Sequence, residues 1–471
     1  MTNNLLKISK FFLYLAPFSV VLVYQGTIFP FIVGKYVFFR TIIDLALVFF
    51  VWHWATNNKL TTYPLRKGFS EASDLPASQR IQRGERLTTL WQQPLVLVVA
   101  LFTLIFVLAG FFGVNPAASF WSNFERGEGG FQMIHLFIFF ILLGLTFKDE
   151  KSWRKMFVVS FWTAVLVILY GIAAAMEIGN FVGSNLCTRF AGSLGNPAYT
   201  GTYLIFAIFY AAYLANEEIS RRKKWLWLSL IVLFFIFLLL TQTRGALLGL
   251  GVAIIFGLFY LFFLLSKGKI KNIVLVTAIL LIVLGFLGFH FRRSINIAPF
   301  CPAESGGNRI LDVDFKTENF QTRLLLWKES IKAFKERPIL GWGPENFTVA
   351  FEKYYDPYFT TWYDRAHNIF FDYLVMTGLL GLVSFLGIFG VYFWQLFKFN
   401  KRPTTGNLQQ NNDKQKSLVV GHRSLVGNAL LFALPIAYLI QGLVLFDVLP
   451  IYINIFLFLA FANWIFKKAK I

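Results

Sequence analysis

Long runs without a charged residue are the feature that most constrains the fold of this chain. Residues 94–113, PLVLVVALFTLIFVLAGFFG, carry no charge, and they reach the length of about 20 apolar residues that a helix needs to cross the bilayer hydrocarbon. Only 14% of all residues are charged, whereas soluble domains have about 25%. Helices and closed barrels alone satisfy every backbone polar group in lipid. The sequence therefore predicts an all-α integral membrane protein and disfavours a soluble helical bundle.

The apolar runs predict about twelve transmembrane helices. Lys7 and Lys10 precede the first run, but no small-residue cleavage site follows it, so we interpret this run as a span and not as a signal peptide. The chain is expected to form a single polytopic membrane domain over residues 1–471. The predicted spans are 9–26, 29–54, 94–113, 129–147, 155–178, 198–215, 225–242, 245–265, 272–290, 367–397, 425–445 and 449–466.

The positions of lysine and arginine predict the orientation of the chain. With the N-terminus inside, most of the 44 Lys and Arg residues fall at cytoplasmic helix ends or in two cytoplasmic loops, 56–93 and 398–424, which we expect to be flexible. Both termini are then cytoplasmic. Most of the formal net charge of +20 lies beside anionic lipid head groups, so the expected partner is the lipid bilayer and not a nucleic acid.

One long outer loop, residues 291–366, has the pattern of folded helical structure. Pro338 and Gly341 are typical of a helix end, and a second short helix is predicted around 345–354. Folded loops on a set of spans often carry functional sites. The first predicted helix has an apolar stripe on one face and two acidic residues on the opposite face: Leu324, Trp327, Ile331 and Phe334 form the stripe, and Glu329 and Glu336 lie opposite.

The chain has two cysteines, Cys187 and Cys301, and both fall in predicted outer loops. An oxidising compartment permits a disulfide between them. The bridge also requires the two Cα atoms to lie within about 7 Å, which the sequence does not establish. A Cys187–Cys301 disulfide and two free thiols are therefore both open.

Two arginines at the outer ends of apolar segments are candidates for binding an anion. Arg244, in TQTRGALLGLG, lies beside span residues, where a charge is costly, and Gly245 and Gly249 favour close helix packing next to it. Arg323 lies four residues before Trp327, so the indole ring could hold its guanidinium. A planar guanidinium suits a phosphate. The alternatives are an arginine at 244 that snorkels to head groups and a solvated arginine at 323.

His367, in YDRAHNIFFDYL, is the candidate general base. It lies where the outer loop re-enters the membrane, and a histidine there can accept a proton near neutral pH. Asp364 and Asn368 are near enough in sequence to orient its ring, and Asp372 lies about one helical turn further on. A capping or interface histidine is the alternative at such a boundary.

Other polar and glycine residues at outer edges complete the set of candidates. Glycine permits close backbone approach to a sugar or phosphate, although ordinary turns use the same residues. The sequence contains no zinc-ligand spacing, nucleotide-binding glycine loop or catalytic serine motif, so neither a metal nor a cofactor is expected. These further candidates are Arg126 before the fourth span, Asn196 in GSLGNPAYTG, Gly341, Gly343, Glu345 and Asn346 in GWGPENF, and Asp447 in the last outer turn.

Several short motifs, taken together, resemble one known family. They are GNP at 195–197, TRGA at 243–246, R-x3-W at 323–327, RPILGWGPENF at 337–347, AHN at 366–368 and FD at 446–447. Each motif is weak alone, but their order and shared sidedness resemble the O-antigen ligase and O-antigen polymerase superfamily. The resemblance is sharpest between about residues 192 and 381.

The resemblance implies an activity for the chain. Members of the family transfer a glycan from undecaprenyl diphosphate to an acceptor hydroxyl, without metal or nucleotide, at the periplasmic face of the bacterial cytoplasmic membrane. The acceptor could be a lipid A-core glycolipid, a growing polysaccharide or a protein side chain, corresponding to ligase, polymerase or protein O-oligosaccharyltransferase. In this sequence Arg244, Arg323 and Arg126 would bind the donor diphosphate. His367 would act on the acceptor hydroxyl.

A transporter or lipid-linked glycan flippase is the alternative from another class of protein. Such a carrier is expected to place ionisable groups near the middle of the membrane and to have two related halves. The charges singled out here lie at the outer mouths of spans, and no internal repeat is evident. The sequence therefore favours the enzyme.

Overall fold

Helices make up almost all of the architecture in the residues that the structure, a computed structural model, describes. These residues are 2–58, 90–123, 125–184, 189–291, 317–359, 361–400, 419–420 and 423–468. Cys187 and Cys301 lie outside them, so a disulfide between them and two free thiols both stay open. Most of the two cytoplasmic loops predicted to be flexible, 56–93 and 398–424, also lies outside them.

The helices follow one another along the described parts of the chain, and one two-residue antiparallel strand pair precedes the last two helices. In this pair, β1 (Val419–Val420) and β2 (Arg423–Ser424), Val419 is opposite Ser424. The helices are α1 (Thr2–Leu15), α2 (Val33–Asn58), α3 (Pro94–Phe111), α4 (Pro116–Trp121), α5 (Gly130–Thr146), α6 (Glu150–Ala175), α7 (Pro197–Glu217), α8 (Arg221–Leu240), α9 (Arg244–Leu264), α10 (Lys269–His290), α11 (Glu318–Glu336), α12 (Phe347–Lys353), α13 (Ile369–Asn400), α14 (Leu425–Gly442) and α15 (Leu449–Lys468), with 3-10 helices at Ala16–Val21 and Gly192–Leu194.

The predicted membrane class is confirmed by these helices. Within the described ranges, 11 helices are long and apolar enough to cross a membrane by length and composition, and α5 is a shorter apolar helix. Together they correspond to the twelve predicted spans. The orientation of the termini stays a prediction.

The first predicted span, residues 9–26, differs from the structure. Helix α1 begins at Thr2 and ends at Leu15, and a 3-10 helix over Ala16–Val21 follows it in the second half of the predicted span. Pro17 explains the change, because it has no N–H to donate to the carbonyl four residues earlier. The chain beyond Val21 is not helical until α2 begins at Val33.

The predicted helix of the outer loop is present as α11, but only part of the predicted stripe packs, with the Trp327 ring stacked on Phe371 of α13. Leu324 and Ile331 are 41% and 42% exposed, whereas Leu326 and Ala333 are almost completely buried. Helix α11 packs against α13, and the small side chain of Ala333 permits close approach there. Glu329, on the face opposite the predicted stripe, is buried and pairs with Lys332.

Close packing between α9 and α14 places the beginning of α9 beside the chain that leaves α14. A Cβ added to Gly249 would lie only 2.7 Å from the Ala437 carbonyl oxygen, so glycine is required at this contact. Helix α15 is the central helix of the bundle, with every residue of its spanning window buried, while α10 is peripheral. The predicted packing role of the glycines near Arg244 is therefore confirmed.

Helix α13 is interrupted at Gly378, and a turn of the outer loop, residues 338–343 (the 338–343 turn), fills the interruption. Gly378 has φ 65°, which favours glycine. Leu379 donates its N–H to Pro338 O at 2.8 Å, and Trp342 donates its N–H to Val375 O at 2.8 Å. Irregular backbone at membrane depth needs partners from the protein. These bonds anchor the outer loop in the bundle.

Candidate active site

The turn between α14 and α15, residues 443–448 (the 443–448 turn), is where the candidate residues meet. Two of its backbone carbonyls, at Leu443 and Val444, accept hydrogen bonds from candidate side chains, and the ring of Phe446 contacts others. The sequence of the turn, LVLFDV, is largely apolar. The turn therefore contributes to the site mostly through its backbone carbonyls and the Phe446 ring.

The Arg323 side chain and the start of α9, where Arg244 lies, both approach Val444 of this turn. Arg323 of α11 donates from Nη1 to the Val444 carbonyl oxygen at 3.0 Å. Arg244 is the first residue of α9, and a Cβ added to the next residue, Gly245, would lie 2.3 Å from Val444 Cγ2. The structure therefore brings the start of α9 and the Arg323 side chain to one residue.

His367 lies against the same turn. Its ring centroid is 5.2 Å from that of Phe446 and 5.6 Å from that of Tyr363, both in edge-on contacts. Its backbone has φ +50°, a left-handed conformation that is uncommon for a residue other than glycine and is often found at functional sites. The surrounding loop must therefore hold it in place.

The electrostatic surroundings keep the His367 imidazole neutral. Burial and the positive charge of Arg323 lower the pKa of His367 to about 4, with a further lowering by Arg126, and Asp364 opposes the shift. A histidine in water has a pKa of about 6.5. The neutral ring can accept a proton at pH 7. An anion bound among the arginines would raise this pKa, because it would offset their charge.

Arg126 lies at the same place but has partners of its own. It donates from Nε to Asp364 Oδ2 at 2.5 Å and from Nη1 to the Tyr199 hydroxyl at 3.2 Å. Its guanidinium carbon is 5.0 Å from the centroid of the Phe446 ring. Burial alone would raise the pKa of Asp364, but the hydrogen bond and charge of Arg126 hold that pKa below its usual value. Much of the Arg126 charge is thus offset within the protein.

Arg365 was not singled out from the sequence, and it pairs with two buried carboxyl side chains at the site. Its Nη2 donates to Glu128 Oε2 at 3.1 Å and also to Glu345 Oε1, and its side chain is 5% exposed. Burial raises the pKa of Glu128 to about 8, Arg365 opposes the shift and Glu345 adds to it. At pH 7 Glu128 is therefore mostly protonated, and Glu345 is the anion that faces Arg365.

Three further residues, Asp372, Trp327 and Asn368, fix the backbone on either side of His367. The Ala366 N–H donates to Asp372 Oδ1 at 2.7 Å, and the Trp327 indole N–H donates to Ala366 O at 2.9 Å. Asn368 donates to Leu443 O at 3.0 Å and accepts from two N–H groups of the first turn of α13. The predicted supporting residues thus position the loop, which we define as residues 364–368 (the 364–368 loop).

Three helix N-termini converge on the site. Asn196 caps α7 by accepting from the Ala198 N–H at 2.8 Å. The hydroxyl of Thr243, which precedes α9, donates to Pro197 O at 3.1 Å and so joins the starts of α7 and α9. Asn368 caps α13. The positive ends of the three helix dipoles therefore point to a common region, which favours an anion there.

The remaining predicted residues stabilise the turns and loops that surround the site. Gly341 and Gly343 have φ of +70° and +94° in the 338–343 turn, and a Cβ at Gly341 would lie 2.4 Å from Val375 O. Asn346 donates to Ser119 Oγ at 2.9 Å. The Tyr438 hydroxyl donates to Asp447 at 2.5 Å, and burial raises the pKa of Asp447 to about 7.

Sequence reasoning missed Arg365, Glu128, Tyr199 and Arg189. Arg189 donates from Nε to Thr241 O at 3.2 Å, just before α9. Arg365 lies between two residues that the sequence analysis had named, and that position was the only local signal for it. In the described part of the chain, no group of three or more His, Cys, Asp or Glu residues could hold a metal ion.

The helices and this arginine-rich site at one end of the bundle define a polytopic integral membrane protein with a cluster of polar and charged groups where its helices meet. Residues 229–386 match the family model described as O-antigen ligase. The match includes Arg244, Arg323 and His367, and it confirms the resemblance to the O-antigen ligase and polymerase superfamily, whose members are glycosyltransferase-like enzymes. No match was found among curated proteins.

Proposed function

We propose that this protein transfers a glycan from an undecaprenyl-diphosphate-linked donor to an acceptor hydroxyl at the extracytoplasmic face of the cytoplasmic membrane. The observation that carries the proposal is the meeting of Arg323, His367 and the start of α9 at the 443–448 turn. Cations, helix N-termini and a neutral imidazole together suit a diphosphate leaving group beside a hydroxyl nucleophile.

In this proposal the arginines stabilise the leaving group. The bond between the anomeric carbon and the diphosphate oxygen breaks, and undecaprenyl diphosphate leaves with the electron pair. Arg244 and Arg323 neutralise the charge that develops on it, and removing one such contact costs on the order of 100-fold in rate. Arg126 assists from its pair with Asp364.

His367 takes the proton of the acceptor hydroxyl while the oxygen bonds to the anomeric carbon. Attack from the face opposite the diphosphate inverts that carbon. The neutral state of the ring in the free protein supports this role, and a bound diphosphate would increase its basicity by offsetting the arginine charges. Donor binding would thereby activate the base.

The acceptor is a sugar hydroxyl of a lipid A-core glycolipid or of a growing polysaccharide in this proposal. A protein hydroxyl is the third acceptor that the family resemblance allows. The proposal places the site on the periplasmic side and both termini in the cytoplasm, following the distribution of lysine and arginine.

The test uses purified protein in liposomes with a lipid-linked donor and a defined acceptor. We expect wild-type protein to release undecaprenyl diphosphate and form the glycosylated acceptor. Arg244→Ala, Arg323→Ala and His367→Ala should each abolish transfer while the protein still inserts. Lys328→Ala, an exposed cation on the same helix as Arg323, should retain it. Wild-type turnover in all three site variants would contradict the assignment.

A carrier is the second candidate, and one observation favours it. Asp44 of α2 and His135 of α5 form a pair at 3.0 Å inside predicted spans, and ionisable groups at such a depth are typical of transporters. The same liposomes distinguish the two functions. Translocation of intact donor without diphosphate release would indicate a carrier.

A further inference from the structure

The first turn of α7 places a tyrosine hydroxyl beside Arg126. Arg126 donates from Nη1 to the hydroxyl oxygen of Tyr199 at 3.2 Å. The Tyr199 ring centroid lies 5.8 Å from that of Phe446 in an edge-on contact, and the Phe446 ring also contacts His367. Tyr199 and the candidate base therefore pack against the same ring.

The position of this hydroxyl is fixed by the helix and by its neighbours. Asn196 caps α7, and the Thr243 hydroxyl donates to the carbonyl of the first residue of α7, which joins this helix to the start of α9. Arg126 is held on its other side by Asp364, to which its Nε donates at 2.5 Å. Tyr199 is only partly exposed. The hydroxyl is therefore held in place before any substrate binds, as electrostatic catalysis requires.

The direction of the hydrogen bond decides what the hydroxyl can still do. A guanidinium only donates hydrogen bonds, so the Tyr199 oxygen is the acceptor and its own hydrogen points away from Arg126. Among the residues that the structure describes, Tyr199 donates this hydrogen to no other group. The adjacent charge of Arg126 polarises the hydroxyl and makes it a stronger donor. Tyr199 can therefore donate to an acceptor that comes from outside the chain.

We infer that Tyr199 donates its hydroxyl hydrogen to a diphosphate oxygen of the lipid-linked donor and so stabilises the leaving group as the sugar bond breaks. This inference rests on the proposed function. The positive end of the α7 dipole favours an anion at the same place. The hydrogen bond strengthens as negative charge develops on the diphosphate. Tyr199 keeps its proton throughout, and the proton of the acceptor hydroxyl goes to His367.

The alternative role of the hydroxyl is to brace Arg126. That arginine already has two other contacts, because its Nε donates to Asp364 and its guanidinium carbon lies 5.0 Å from the centroid of the Phe446 ring. The two roles predict different results when Arg126 is removed. A hydroxyl that only braces the arginine then has no further effect on the diphosphate, whereas a hydroxyl that binds the diphosphate directly keeps its effect.

The experiment measures binding of undecaprenyl diphosphate to the full-length protein in detergent, and kcat and donor KM for transfer in liposomes. Tyr199→Phe removes the hydroxyl and keeps the ring. Tyr260→Phe is the matched control, because the Tyr260 hydroxyl also accepts from a side-chain N–H, that of Asn400, near the other end of α9. The Arg126→Gln/Asp364→Asn variant removes the cation and its counter-charge together, and Tyr199→Phe is repeated in that background.

We expect Tyr199→Phe to weaken binding of undecaprenyl diphosphate about 10-fold and to lower kcat about 10- to 100-fold, as for a lost hydrogen bond to a charged group. Binding should weaken by a similar factor when the substitution is made in the Arg126→Gln/Asp364→Asn background. Tyr260→Phe should bind and turn over like wild type. The melting temperature of Tyr199→Phe should stay close to that of wild type, because the ring contact with Phe446 remains.

Two results would overturn the inference and leave the proposed function intact. The first is that Tyr199→Phe binds undecaprenyl diphosphate and turns over like wild type. The second is that Tyr199→Phe weakens binding in the otherwise wild-type protein but not in the Arg126→Gln/Asp364→Asn background, which would identify a brace for the arginine. If wild-type protein neither bound undecaprenyl diphosphate nor transferred a glycan, the proposed function itself would fail, and the inference with it.

Discussion

Replacing Arg365 with methionine should show whether this arginine stabilises the 364–368 loop, positions His367, or does both. The Arg365 side chain is 5% exposed and lies between Glu128 and Glu345, which are 5% and 3% exposed. With a pKa of about 8, Glu128 is mostly neutral at pH 7, so the variant leaves one buried anion, Glu345, without its cation. Breaking a buried pair in this way costs about 3–5 kcal/mol.

The double variant Arg365→Met/Glu345→Gln removes that buried anion as well. We expect it to regain most of the thermal stability lost in the single variant, because an apolar or neutral replacement of a buried pair is often tolerated. Transfer should stay low, since the loop that carries His367 would have lost its anchor and a displacement of about 1 Å can cost on the order of 100-fold in rate.

Each variant is measured in three ways: by thermal unfolding in detergent, by kcat and KM for transfer, and by donor binding. Lys353→Met is the control, because it removes a cation from an ion pair of the same outer loop that is half exposed, and it should change little. The reasoning fails if the double variant regains wild-type kcat, which would mean that Arg365 contributes stability alone. Loss of donor binding together with kcat would equally contradict a positioning role.

Two further predictions concern the helix interruption and the base. Gly378→Ala should destabilise the protein by more than about 1 kcal/mol and lower transfer, because φ is +65° and the new Cβ would lie 2.3 Å from Ile339 O. Gly390→Ala is the control in the same helix, because a Cβ added there would have nothing within 4 Å, and it should change neither stability nor transfer. Equal melting temperatures of the two variants would refute this prediction. The kcat/KM for transfer should hold from neutral pH to about pH 5 and fall below about pH 4, because protonation of His367 removes the base. In Arg323→Gln the acid limb of the residual activity should move to higher pH, and an unmoved limb would exclude His367 as its source.

The membrane fold was predictable because its signal is local. A run such as residues 94–113 needs no partner in the sequence to indicate a span, and α3 begins at Pro94 in the structure as predicted. The packed face of α11 was only partly predictable from the same kind of signal, which identified Trp327 correctly. Periodicity identified Leu324 and Ile331 as an apolar stripe, but the face that packs is decided by contacts with α13, a helix that begins more than 30 residues further along the chain.

The candidate site was predictable where a single residue carries its own signal. Arg244 and His367 stand at the edges of apolar segments, and an ionisable group there is unusual enough to notice. Arg365 and Glu128 form a hydrogen bond although they are far apart in the sequence, and no local pattern around either residue indicates the other. The 443–448 turn contributes backbone carbonyls and one phenylalanine ring. Every residue has a backbone carbonyl, so the sequence alone does not indicate that these carbonyls belong to a site.

The most direct test of the central claim is the pKa of His367 measured by NMR with and without undecaprenyl diphosphate. The chain has five histidines, so selective ¹³C labelling gives few signals, and His367→Gln identifies the relevant one. The account predicts a pKa of about 4 in the free protein and a clear rise when the diphosphate binds among the arginines. An unchanged His367 pKa at saturating undecaprenyl diphosphate would contradict the account.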